Sequence, residues 1–357
     1  GSPEADALSA EALALGQDLA VDDATLAGLF SYRGIYFDFT RRQPQASAYF
    51  REAARLAEQA GDTKILGTAL LNLSDALTAT DPADGAEAAR TAAKHLRRVG
   101  ARDDLSMAIG NLAQALLMLG DWDAAATELT HAADADGLAD HELLACYRGW
   151  LAALRGDAET AETVLTGLQD LKTSEAPQEK AVVSHLEAFI AAARHQPRDT
   201  LRCARATLAQ ASAIGISHEL LRWAWPLATR AAHNLRDTAT TRELLAQLDS
   251  HQPGHLAPML WAERDLTRGR LAANDDHGPD PGAAFTAAIT GLRQHSTPYH
   301  LAHGLLDHAE HLLRLGDDEA ARAAIGEAHS IATRLRCQPL LDRAETIQPA
   351  SPRTAAS

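Results

Sequence analysis

The stretch DLSMAIGNLAQALLMLGDWDAAATELTHAAD, Asp104 to Asp134, decides the fold. Leu105, Ile109, Leu112, Ala113, Leu116 and Leu117 recur three and four residues apart, which places one apolar face on a helical period. Gly120 and Asp121 then interrupt the pattern. Glycine reaches the left-handed conformation that ends a helix, and aspartate can cap the next one. The second helix carries Ala125, Leu129 and Ala132, and small residues at Ala113, Ala125 and Ala132 allow close approach. A lone hairpin of this kind leaves its apolar face wet, so it needs neighbours like itself.

The neighbours follow the same spacing. Gly34, Ala46, Phe50 and Ala53 repeat the order small, alanine, large apolar, alanine, and so do Ala309, Ala321, Ile325 and Ala328. Gly149, Ala161 and Leu165 match in part, as do Gly269, Phe285 and Ala288. The Gly-Asp turn returns at Gly156-Asp157 and Gly316-Asp317, and ALLNLSDAL from Ala69 parallels AIGNLAQAL from Ala108. Self-similarity at a period in the thirties, with two helices per unit, marks a helical solenoid.

These residues resemble the tetratricopeptide repeat (TPR) family. The resemblance rests on Asn111-Leu112-Ala113, the Gly-Asp turn, Trp122 after it and the Ala-Leu-Ala series. It implies an all-α fold: a right-handed α-solenoid of about eight TPR-like helix pairs with a C-terminal capping helix. Residues 1–20 read as a tag scar, Gly1-Ser2, and a partial N-terminal helix; residues 21–347 as the superhelical array; residues 348–357 as a disordered tail. A half repeat at the start suggests a fragment of a longer protein.

Composition agrees. Aromatics are only 4% of the chain while apolar residues reach 46%, which suits alanine-lined helix contacts and disfavours a sandwich or barrel. No apolar run is long enough for a membrane span. A net charge of −15 disfavours broad contact with nucleic-acid backbones, and the basic run Lys94 to Arg98 reads as a solvated face. Cys146, Cys203 and Cys337 are odd in number and widely spaced, which fits buried thiols in a cytoplasmic protein. The Asp-rich loop from Asn274 lacks the glutamate and spacing of a calcium-binding hand.

Phosphate loops, nucleophile elbows, HExxH and CxxC are all missing, so the expected role is binding without catalysis and without a cofactor. By resemblance the first helix of each pair lines a concave groove, whose candidate contacts are Gln114, Met118, Cys146, Trp150, Trp223 and Trp225. The three tryptophans are the leading candidates for an exposed aromatic; packing between helices is the alternative for Trp150, and one of Trp223 and Trp225, two apart on a helix, is expected in the core. His303, Asp307 and His311 share a face of one helix and are weak metal candidates, stretched over two turns. The expected partner is a protein or peptide in the groove. A small-molecule effector and a homodimer are alternatives. The segment from Tyr299 to Leu335 is similar, more loosely, to the C-terminal repeat region of large actinobacterial ATP-binding regulators, LuxR-type or cyclase-linked ATPases. That likeness implies a signal-sensing, self-associating region of a regulatory protein. No DNA-binding helix-turn-helix follows the last repeat.

Overall fold

A computed structural model describes residues 2–40, 42–139, 141–252, 256–273 and 280–347. The tail at 348–357 and residues 274–279 of the Asp-rich loop lie outside the described residues. Among the described residues the chain is all helix, with twenty α-helices and no strand. After α1 (Pro3–Asp18) the helices pair as the repeat spacing predicts. The first three pairs are α2 (Asp23–Phe39) with α3 (Gln43–Ala60), α4 (Thr63–Thr78) with α5 (Pro82–Val99), and α6 (Arg102–Leu119) with α7 (Trp122–Asp134). Then come α8 (Glu142–Arg155) with α9 (Ala158–Gly167), and a short α10 (Gln169–Thr173). Next are α11 (Pro177–Ala193) with α12 (Pro197–Leu208), α13 (Ala211–Ile214), and α14 (Glu219–Asn234) with α15 (Thr238–Asp249). The last pairs are α16 (Pro258–Ala272) with α17 (Pro281–His295), and α18 (Pro298–Leu315) with α19 (Asp318–Leu335); α20 (Gln338–Thr346) follows. The short helices α10 and α13 are additions that the repeat spacing does not announce.

The deciding stretch folds as read. All six apolar positions of α6 named above are buried, as are Ala125, Leu129 and Ala132 of α7. Gly120 closes α6 in the left-handed conformation, φ 80°, and Gly316 closes α18 likewise, φ 77°. Asp157 and Asp317 accept capping bonds from the amides of Thr160 and Ala320. Asp121 occupies the same N-cap position, but its side chain makes no capping bond. The first turn of α7 is held instead by Trp122, buried with its indole Nε1 donating to Leu117 O at 3.2 Å. Pro44 sits in the first turn of α3, and Pro298 follows the Thr297 cap of α18, where the missing N–H costs little.

The chain divides into two compact units, Gly1–Tyr147 and Arg148–Ser357, with the boundary inside α8. Within the first, polar ties join successive repeats. Asn111 donates from α6 to Ser74 Oγ of α4 at 3.0 Å, across 37 residues, and Arg97 grips Asp136 with paired bonds of 2.9 and 2.8 Å across 39. The parallel NLS and NLA elements thus fix the register of one repeat on the next.

The repeated small residue marks helix crossing. At Gly34 of α2, a Cβ would lie 2.5 Å from Phe50 of α3, far inside contact distance. Phe50 is itself buried in the same core as Phe37 and Leu73. Gly34→Val therefore overpacks the first full repeat, with an expected loss of ~1–3 kcal/mol. Urea unfolding checks it; a midpoint equal to the parent's would show that α2 and α3 separate freely.

Candidate functional site

The second unit builds a cavity of about 580 Å³. Much of its wall comes from the first helices of successive pairs, with Pro197 and Thr200 of α12 and the terminal α20 also lining it. Ala153 and Leu154 come from the end of α8, Phe189 and Ala193 from α11, Leu227 and Arg230 from α14. Arg270 of α16, then Tyr299, His303 and Asp307 of α18, and Arg343 of α20 complete it. The spacing is again that of the repeat, because Arg270 and Asp307 are 37 residues apart and Asp307 and Arg343 are 36. The charged side chains of the wall come from α14, α16, α18 and α20, whereas α8 and α11 contribute apolar ones. Exposed His195, Gln196, Asn234 and Thr346 form the mouth.

The two ends of this unit touch. The Cys337 thiol, fully buried, donates to Leu154 O at 3.1 Å across 183 residues, and burial pushes its pKa up to about 12. A Cβ on Gly156 would lie 2.9 Å from Pro339. The start of α20 is thereby seated against the α8–α9 turn.

Charge in the cavity is concentrated on three guanidiniums. Arg270 Nε donates to Asp307 Oδ2 at 2.7 Å, and Arg343 Nη2 donates to Asp307 Oδ1 at 2.6 Å and to Glu310 Oε1 at 2.7 Å. Burial alone would raise the Asp307 pKa, but the two guanidiniums outweigh it and hold it at about 2. Burial likewise works against the charge on Arg343, and its carboxylate partners reverse that and raise it. Arg230 is different. It is 7% exposed, it lies 5.4 Å from the Tyr299 ring centroid, and no carboxylate takes either Nη1 or Nη2. Glu263 of α16 lies behind the wall, 0% exposed, and both its oxygens lack a donor. Burial pushes it up to about 7 while Arg230 and Arg270 pull it back. Burial, reinforced by Arg230, Arg343 and Arg270, keeps His303 neutral well below the usual imidazole range.

The expected groove aromatics are core residues. Trp223 and Trp225 are 0% exposed, and Trp150 is buried. Trp223 meets Trp150 edge-on at 4.9 Å and stacks on Tyr299 at 5.8 Å, and Phe189 lies 5.8 Å from Trp150. Phe189 and Tyr299 face the cavity, and the tryptophans support them from behind. On the stripe Cys146, Trp150, Leu154, the residue that reaches the cavity is Leu154. Trp225 points to the opposite side, where its Nε1 donates to Leu244 O of α15 at 3.0 Å. Pro226 lies inside α14 rather than at its start. In the first unit Gln114 and Met118 are buried and Cys146 is half-buried.

The shared face of His303, Asp307 and His311 does not converge on one point. Both Asp307 oxygens are committed to arginines, Arg343 lies 3.4 Å from His303 Nδ1, and His311 turns to stack on Phe285. Among the described residues no group of three histidine, cysteine or acidic side chains is placed to hold a metal ion. The residues that sequence reasoning missed are Arg230, Arg270 and Arg343. Their signal was position: Arg230 stands seven residues after Trp223, on the same face of a helix buried on all sides from Leu220 to Ala232.

The first unit carries a second, more open groove of about 610 Å³ between α1 and α2, lined by Leu8, Tyr32, Ile35 and Phe39. Phe39 is 71% exposed, and Leu15 and Leu19 of the same region are also exposed. Among the described residues no helix is long and apolar enough to cross a membrane.

No protein-family model matches the chain, and no curated protein matches it. A solved structure of a Rap protein complexed with competence and sporulation factor aligns over 88% of this chain and 76% of that one, with 12% identity and a TM-score of 0.47. The TPR-like architecture stated above rests on the helix pairs and their repeat spacing.

Glu263 yields a pH test. Its folded pKa, about 7, lies above the ordinary carboxylate value, so its contribution to stability is fully present below about pH 4.5 and is lost as pH rises through 7. Glu263→Gln does not titrate. Its stability relative to the parent is expected to rise between pH 5 and pH 8 by on the order of 1–3 kcal/mol. Urea unfolding at both pH values reads this; a constant difference would mean that Glu263 is ionised throughout.

Proposed function

We propose that the chain is a non-catalytic recognition module whose second unit receives a ligand, either a small molecule or a segment of a protein or peptide, in the cavity formed by its inner helices. The observation that carries this reading is the joining of an apolar wall to the buried guanidiniums of Arg230 and Arg270 and the half-buried one of Arg343 in one concave space of about 580 Å³. Binding sites combine apolar lining with a few polar groups in this way, and volumes of this order suit them. The polar groups are poor candidates for catalysis. Asp307 is neutralised by two arginines, and His303 is surrounded by positive charge.

A role as the sensor and scaffold region of a larger bacterial regulatory protein is the finer form of this proposal. Its support is the sequence likeness of the segment from Tyr299 to Leu335. Self-association is a second reading, favoured by the exposed apolar surface of Leu8, Leu15, Leu19, Tyr32 and Phe39.

Native mass spectrometry of the freshly purified chain separates these readings. The cavity reading predicts a retained extra mass that disappears in Ala193→Trp, a substitution that fills the cavity from its wall. An extra mass retained equally by that variant would place binding elsewhere. A dimer dispersed by Phe39→Glu, with no retained mass, would favour self-association.

A further inference from the structure

Three guanidiniums border the cavity, and their situations differ. Arg270 and Arg343 divide the two oxygens of Asp307 between them, and Arg343 also takes Glu310. Arg230 has no carboxylate at hydrogen-bond distance. Its two terminal nitrogens are buried and no carboxylate takes them; the group beside it is the neutral phenol of Tyr299, which brings a weak polar contact and no compensating charge. Glu263 lies in the field of both Arg230 and Arg270 but bonds to neither. A buried guanidinium without a compensating charge is costly, and the cost is relieved when an anion supplies two oxygens to its fork.

From this geometry we infer that Arg230 is the ligand-holding group of the cavity, and that the ligand carries a single carboxylate on an apolar body. The inference rests on the cavity reading and specifies its chemistry. One unpaired guanidinium matches one monoanionic, two-oxygen group. A phosphate dianion would bring a second negative charge, and the remaining arginines are already neutralised by Asp307 and Glu310. Asp342 at the edge of the cavity would repel it further. Beside Arg230 the wall is apolar, made of Leu154, Phe189 and Leu227, so the carbon skeleton of the acid lies against these residues. A free organic acid and the terminal carboxylate of a peptide share this chemistry.

The test is isothermal titration calorimetry on the full chain, using 4-phenylbutyrate, 4-phenylbutanol and phenyl phosphate. The acid is expected to bind the parent about tenfold or more tighter than the alcohol, the scale of a charge-assisted hydrogen bond. In Arg230→Gln that preference disappears while alcohol binding stays. Arg230→Lys, which keeps the charge without the fork, falls between, and circular dichroism verifies that both variants fold. A preference that survives in Arg230→Gln overturns the assignment, and so does tighter binding of phenyl phosphate than of the acid. Alcohol binding that Ala193→Trp abolishes, with no acid preference in the parent, overturns the carboxylate inference and leaves the cavity reading standing. Failure of all three probes to bind the parent overturns the carboxylate inference as well. Binding that is indifferent to Ala193→Trp overturns both. A blocked dipeptide with a free terminal carboxylate, compared with its amide, tells the sources apart. Tighter binding of the dipeptide than of phenylbutyrate assigns the carboxylate to a peptide end, and weaker binding assigns it to a free organic acid.

Discussion

The buried carboxylate of Asp307 ties three successive inner helices of the second unit together. It stands on α18 and accepts from Arg270 of α16 on one oxygen and from Arg343 of α20 on the other. Taking these charges out of water is expensive, and the arrangement survives because both oxygens are satisfied; removing one member of such a buried set costs ~3–5 kcal/mol. The tie has a geometric consequence. Helix α20 is short, and this contact holds it against α18. The Cys337 bond to Leu154 O and the close approach of Pro339 to Gly156 seat its other end. With α20 in place, Pro339, Asp342, Arg343 and Thr346 add a further wall to the cavity, which keeps an open mouth.

The floor of that cavity depends on aromatic packing one layer deeper. Trp150, Trp223, Phe189, Tyr299 and the neutral His185 and His300 form a continuous set of edge and face contacts. Burial, with a lesser contribution from His218, outweighs the bond to the Leu220 carbonyl and pushes His185 down to about 3, so that it packs as an uncharged ring. Such a floor is rigid, and rigidity lowers the entropic cost of binding. The polar wall above it is held by the Asp307 ion pairs, apart from Arg230, whose guanidinium has no carboxylate partner. Stability and recognition therefore meet in the same few residues: two arginines serve the fold, and the third is held ready by their neighbourhood.

Much of this was legible in the sequence. The eight helix pairs, the glycine stops at Gly120 and Gly316 and the proline starts at Pro44 and Pro298 are local events, governed by backbone conformation and a 3.6-residue period. The site was read less well. Periodicity shows which face of a helix is apolar, but inner helices of a stacked array are covered on nearly every side, so an aromatic on them can pack into the core, as Trp223 does, or reach the cavity, as Phe189 does. Trp223 and Trp225 went to opposite cores. The arginines carry the converse lesson. On a surface helix they would be ordinary, yet on α14 and α16, buried almost all round, Arg230 and Arg270 had to be inside. Asp307, the partner of Arg270 and Arg343, was noticed for its histidine neighbours instead. Local spacing along one helix showed a shared face; contacts about one repeat away decided the chemistry.

The central claim, that the Asp307 tie docks α20 and thereby adds a wall to the cavity, is tested most directly by hydrogen–deuterium exchange on the parent chain and on Asp307→Asn. This substitution keeps the shape of the side chain and removes its charge. The account predicts faster exchange along α20 and the facing part of α18, with α2 to α5 of the first unit unchanged. Unaltered protection of α20 in the variant would contradict it, because the helix would then be held without the carboxylate.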